Sequence, residues 1–325
     1  MSAWLVALLG PALIALGALA LLRRSRWAAR LADHPNDRSL HALPTPRLGG
    51  IGIMLGTLPI AAALAPSLAI EWTLAAFLAL VSLADDFHSL PIAVRLPAHF
   101  AAAALALAVL APATLSPVQF AFCILAIAWM TNLYNFMDGA DGLAGGMGTI
   151  GFGAYALAAH IAGHEALALG CAAVASAAAG FLSRNFPPAK VFMGDAGSIP
   201  LGFLAATLGL HGVLAGAWPA WFPLLVFSPF IVDASLTIAL RLARGERVWI
   251  AHRQHAYQRL VLGGWSPRRL ALASYGVMLA SAASALAARA GSEAMQYAIL
   301  GLWCGLYVVA SFAIQRRANI ENASS

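Results

Sequence analysis

The sequence predicts an all-α membrane protein, a polytopic helical bundle of about eleven transmembrane helices. Three observations carry this. The chain is 61% hydrophobic and only 10% charged. Apolar stretches of roughly 20 residues, enough to cross about 30 Å of hydrocarbon, recur along its whole length. The basic residues gather in alternate breaks between them. A soluble chain of this size would need far more polar surface.

The predicted helices are 3–22, 48–65, 67–84, 96–112, 117–132, 146–162, 165–183, 198–213, 218–240, 269–288 and 294–314. The first is followed by Arg23, Arg24 and Arg26. A signal peptide places its positive charges before the apolar run, so a retained helix is expected. Pro66, Pro112, Pro117 and Pro219 fall at segment ends, where proline cannot continue a preceding helix. The loop 33–50, DHPNDRSLHALPTPRLGG, is too rich in Pro and Gly for helix and is expected to be ordered and non-helical. Cys123, Cys171 and Cys304 lie in apolar segments without metal-ligand spacing, so they read as small hydrophobes. No repeat or soluble domain interrupts the pattern, and residues 1–325 read as a single integral membrane domain.

Alternate loops are 23–47, 85–95, 133–145, 184–197 and 241–268, with the tail from 315. These loops and their helix ends hold every Lys and Arg except Arg289. The positive-inside rule makes that side cytoplasmic, with the N-terminus outside and the C-terminus inside. The net charge of +6 then reflects orientation, and no nucleic-acid partner is expected. Glu71, Glu165 and Glu293 fall on the outer side and read as surface residues.

Carboxylates near lipid are expensive and rarely persist without a task. Asp85, Asp86, Asp138, Asp141 and Asp195 nevertheless gather at the cytoplasmic helix ends. The pair Asp85–Asp86 ends a helix, where negative charge opposes the macrodipole. Adjacent like charges suit a general base or a shared cation site. In NLYNFMDGADGLAGG, the residues Asn132, Asn135, Asp138 and Asp141 recur every third position, which aligns them if the stretch is helical. Oxygen ligands of this kind suit Mg²⁺, which binds through one or two carboxylates and substrate phosphates. NFPPAKVFMGDAGS supplies Asn185, Lys190, Phe192 and Asp195. Phe192 reads equally as a base-stacking platform or a membrane-facing aromatic. The run HRQH, with His252, Arg253 and His255, and the first loop, with Arg38, His41 and Arg47, offer cations for a pyrophosphate. Together these loops carry the equipment for phosphoryl transfer to a lipid acceptor. The rival reading is a lipid or sugar transporter with a cytoplasmic acidic gate. It calls for mid-membrane charge, and only Asp233 is placed for that.

From Asp33 to Trp265 these strings resemble, in order and topology, the polyprenyl-phosphate N-acetylhexosamine-1-phosphate transferase superfamily. The resemblance implies a bacterial inner-membrane enzyme with its site facing the cytoplasm. Such an enzyme moves a sugar-1-phosphate from a UDP-N-acetylhexosamine to undecaprenyl phosphate, with Mg²⁺ as cofactor and Mn²⁺ able to substitute, and releases UMP. It implies Asp195 as a metal ligand with Asn135 as partner, and Asp85, Asp86 and Asp138 as catalytic acids. Asp141 and Phe192 become uracil contacts. His252, Arg253 and His255 grip diphosphate and sugar, with Asn185 and Arg47 also at the substrate. It allows a homodimer. HRQH departs from the three consecutive histidines of the peptidoglycan branch and looks closer to enzymes that initiate O-antigen synthesis. The first loop lacks the lysine of some relatives, a place Arg47 would take.

Overall fold

A computed structural model of the chain describes residues 2–35, 43–111, 115–248, 250 and 252–324. Arg38 and His41 lie outside the described residues. The protein is an all-helical, polytopic membrane protein. The helices are α1 (Ala3–Leu22), α2 (Trp27–Arg30), α3 (Gly49–Leu64), α4 (Ala69–His88), α5 (Ile92–Leu110), α6 (Pro117–Phe136), α7 (Leu143–Ile161), α8 (Glu165–Asn185), α9 (Asp195–Leu214), α10 (Trp221–Val226), α11 (Ser228–Ala243), α12 (Ala256–Leu262), α13 (Pro267–Ala288) and α14 (Glu293–Ser324). Among the described residues, eight helical segments are long and apolar enough to cross a membrane, and α3 is apolar but shorter.

Each predicted segment meets a helix, with two informative differences. The segment 218–240 is broken at Phe227 into α10 and α11. Pro223 and Pro229 flank the break, and each lacks the N–H a continuous helix needs. The other difference lies at the ends that carry acids. Helix α4 runs on to His88 and α9 starts at Asp195, so Asp85, Asp86 and Asp195 lie within the helices and not just beyond their predicted bounds. Asn132 and Asn135 occupy the last turns of α6, but the chain then turns, so Asp138 and Asp141 do not continue that face.

Helices α8 and α9 form the centre, each with 72% of its apolar window buried, against 6% for α14. Small residues let α9 approach its neighbours. A side chain on Gly50 would collide with the backbone of Gly197, so α3 and α9 touch backbone to backbone. The described ends of the first loop are tied by pairing. Its strands β1 (Ala32–Asp33) and β2 (Thr45–Pro46) are antiparallel, and Arg47 bridges to Phe192. Gly49 N donates to Phe192 O and Gly50 N to Met193 O, both at 2.8 Å. The sequence RLGG thereby docks Arg47 beside the loop that delivers Asp195.

Glu71 is not the surface residue its position suggests. It is fully buried, with one carboxylate oxygen 2.8 Å from His211 Nδ1. The partner lies 140 residues away on α9, so the burial was invisible to a local reading. Glu165 is exposed and accepts from Trp4 Nε1 at 2.7 Å.

Candidate active site

The acids converge where α4, α6 and α9 end. Asp195 is the first residue of α9, preceded by Gly194 at φ 73°, a conformation L side chains rarely adopt. That turn reverses the chain and sets Asp195 on the cavity wall. Asp85 accepts from Leu90 N and from Arg95 Nη1, each at 2.6 Å, and the same Arg95 nitrogen lies 3.6 Å from Asp195. Asp86 interacts with Asp195, Arg47 and Asp85, and its Oδ2 is buried without a hydrogen-bond partner among the described residues. Asn135 accepts from Ser198 Oγ at 2.7 Å and reaches Asp195. Asp138 meets the backbone N–H of Gly194. Enclosure among protein atoms, reinforced by Asp195, pushes its carboxyl well above the usual range, with the Gly194 bond and Arg47 opposing.

Asp141 and Asn185 both tie loops together. Asp141 accepts from Ala189 N at 2.9 Å, so it braces the loop after α8. Asn185 is only 3% exposed, and both ends of its amide are engaged: Oδ1 accepts from Gly142 N and Nδ2 donates to Val191 O. A side chain so enclosed holds two loops together. Phe192 is half-buried and its backbone is the strip on which the first loop docks. Arg47 pairs with Asp33 at 2.6 Å and faces Asp86 and Asp195.

The basic run arrives from the other side. Asp233 on α11 accepts from Ala256 N (2.8 Å) and Tyr257 N (3.2 Å), the exposed N–H groups that begin α12. It therefore caps a helix and is no isolated charge in mid-membrane. His255 is 3% exposed, lies 3.5 Å from Asp233, and stacks between Tyr257 and Phe136. Tyr257 donates to Phe136 O at 3.1 Å, tying α12 to the end of α6. Its hydroxyl fills the space a side chain at Gly139 would need. Buried Arg241 organises the preceding turn by pairing with Glu246 at 2.8 Å and donating to Arg247 O. His252 sits 4.8 Å from His255, and burial, then His255 and Arg241, lower it to about 4. Arg253 is exposed.

Between these walls lies a cavity of about 350 Å³. Asp195, Asn135, Asn132, Arg95, His252 and His255 give its polar lining, and Val81, Ile92, Leu96, Ile199 and Ile238 its apolar one. Arg253 does not line it. The sequence reading assigns no site role to Arg95 or His99 and singles out Asp233 only as a mid-membrane charge. Arg95 and His99 are four apart on α5, and both line the cavity. That spacing was the available signal, but it has force only once α5 is known to start at Ile92.

Among the described residues no three carboxylate, imidazole or thiol groups converge as a ready metal cage. The donor set still fits Mg²⁺, which takes few protein carboxylates and fills its shell with water and phosphate. Asp195 at the cavity and the unpartnered Oδ2 of Asp86 are the oxygens that suit it.

Comparison with known proteins bears on this geometry. Residues 68–213 match the glycosyl transferase family 4. Over 298 residues the chain is 28% identical to a probable undecaprenyl-phosphate N-acetylglucosaminyl 1-phosphate transferase of Bacillus subtilis, covering 85% of this chain and 80% of that one. Over 194 residues it is 32% identical to the phospho-N-acetylmuramoyl-pentapeptide-transferase of Staphylococcus aureus, covering 59% of this chain and 54% of that one. These matches bear out the resemblance of the chain to the polyprenyl-phosphate N-acetylhexosamine-1-phosphate transferase superfamily. The match with the Staphylococcus aureus enzyme thus spans about half of that enzyme's length. The family match runs from α4 to α9 and includes every candidate acid, while Arg47 and HRQH lie outside it.

Proposed function

We propose that this protein transfers an N-acetylhexosamine-1-phosphate from a UDP-sugar to undecaprenyl phosphate, releasing UMP, at the cytoplasmic face of a bacterial inner membrane. The observation that carries this is one cavity lined both by Asp195 and Arg95 and by apolar side chains of α4, α5, α9 and α11. A polar head with a long isoprenoid tail needs both. The orientation rests on the basic residues, and eleven crossings on the match between predicted segments and helices.

Arg95, held by Asp85, meets the acceptor phosphate, and an oxygen of that phosphate attacks the β-phosphorus of the UDP-sugar. Asp85 is committed to Arg95 and Leu90 N, so it positions the arginine. Asp138, beside Asp195 and against the backbone N–H of Gly194, is placed to take a proton should the lipid phosphate arrive protonated. Asp195, Asn135 and Asp86 would hold Mg²⁺, which would supply positive charge against that moving to UMP. HRQH covers the diphosphate and sugar from α12. A role in starting O-antigen or another surface polysaccharide follows from the resemblance of this run. Transport is the weaker reading, since Asp233 caps α12.

The test is to supply purified protein with undecaprenyl phosphate, Mg²⁺ and UDP-N-acetylhexosamines carrying ³²P at the β-position. Label should enter the lipid fraction as UMP appears. Label kept in water-soluble UDP while sugar enters lipid would mean attack at the anomeric carbon and would overturn the assignment.

A further inference from the structure

A second cavity, of about 310 Å³, opens where α1 and α8 end, away from the acids, and is lined by Leu19, Ala20, Arg23, Arg24 and Arg184. The two helices are bound along their length. Ala12 N donates to Ser176 Oγ and Ser176 Oγ donates to Leu8 O. The cavity is therefore part of a fixed helix pair.

Its three arginines differ from others in the molecule. Arg47, Arg95 and Arg241 each pair with a carboxylate. Arg23, Arg24 and Arg184 have no carboxylate partner among the described residues. Cations at helix C-termini favour the macrodipole and fit the positive-inside rule. That accounts for their sign. It does not account for three guanidinium groups bordering one hollow with an apolar wall behind them. Guanidinium forks match phosphate oxygens, and basic pockets between transmembrane helices hold phosphate headgroups.

We propose that this cavity binds a phosphate group, carried by an anionic phospholipid or free in solution, with Arg23, Arg24 and Arg184 as its ligands. The lipid source has the better fit, since Leu19 and Ala20 give the hollow an apolar lining beside its arginines. The site stands apart from the transfer reaction, although Arg184 adjoins Asn185 and its carbonyl accepts from Lys190 N at 2.8 Å.

Native mass spectrometry of the full chain, stripped of lipid in detergent, tests this with phosphatidylglycerol, cardiolipin, phosphatidylcholine and inorganic phosphate as probes. The two anionic lipids should be retained at least about tenfold more tightly than phosphatidylcholine, and Arg184→Gln should weaken them by roughly that factor. The triple variant R23Q/R24Q/R184Q should lose them, and R268Q/R269Q/R316Q, which removes as much charge elsewhere, should not. Arg184→Lys should restore part of the binding, and it carries the test if the triple variant is not monodisperse. Displacement of the lipid by millimolar inorganic phosphate, sensitive to Arg184→Gln, would assign the source to free phosphate. Equal losses in the two triple variants would overturn the proposal in favour of diffuse surface charge. So would retention that ignores headgroup charge.

Discussion

The two walls of the main cavity are built in different ways. The acidic wall is fixed by backbone. Asp195 opens α9 after a left-handed glycine, Asp86 sits within α4, and Gly49 and Gly50 dock the first loop onto the strip before Asp195. The basic wall hangs on side chains. Asp233 caps α12, Tyr257 holds it to α6, and Arg241 shapes the turn before it. The family match covers the acidic wall and stops before the basic one. A wall set by helix ends fixes the chemistry. A wall set by a few side-chain contacts can change its sequence while keeping its place, which is how a sugar specificity would vary.

The largest expected effect tests the acidic wall. Asp195→Asn keeps the shape and removes the charge. Transfer should fall on the order of 10²–10³-fold, with a weakened Mg²⁺ dependence, because a neutral amide is a poorer ligand for a hard cation. Near-normal UMP release with an unchanged Mg²⁺ titration would take Asp195 out of the metal site. On the basic wall, Arg253→Ala and His255→Ala should each lose about 10²-fold in kcat/KM. The two should differ in kind. His255 is enclosed between two rings, so its loss should also loosen α12, whereas exposed Arg253 should lose activity alone. Full activity in Arg253→Ala would reduce that residue to an orientation signal.

Asp233→Asn separates the walls more gently. It weakens two charge-assisted bonds to backbone N–H groups, each worth about 1.5–3 kcal/mol at most, and touches no acid of the first wall. Amide exchange across 252–258 should accelerate while exchange around 192–198 stays fixed, and transfer should fall about tenfold through kcat. Faster exchange in both regions would show that the walls share one support.

The helices and the acids were legible because they depend on local properties. Apolar runs of fixed length give the bundle, and Asp in such a chain is rare enough to mark a site. What was not legible depended on distance or on a helix boundary. Glu71 reads as surface until His211 is known to face it. Nothing local to Asn185 tells that Gly142 N and Val191 O engage its amide. Arg95 was counted as loop charge because α5 was expected to start at 96, and the structure starts it at Ile92. Asp233 reads as buried charge within a helix because its partners are backbone N–H groups of another segment.

The smallest expected effect concerns pH and the basic wall alone. His252 is lowered to about 4 in the folded loop, first by burial and then by His255 and Arg241. Released from the loop, its ring returns to about 6.5. Between these values the open loop binds more protons than the closed one, so closure strengthens as pH rises and is lost as pH falls from about 6.5 toward 4. The contribution is fully present above that window. His252 is half-buried, so solvent screening keeps it modest. Exchange of the 252–258 amides, corrected for intrinsic rates, should therefore be faster at pH 5 than at pH 7. Amides around Asp195 should show no such change. His252→Gln should flatten the difference, since an amide does not titrate. If the pH dependence persisted in that variant, His252 would not be the group that takes the proton.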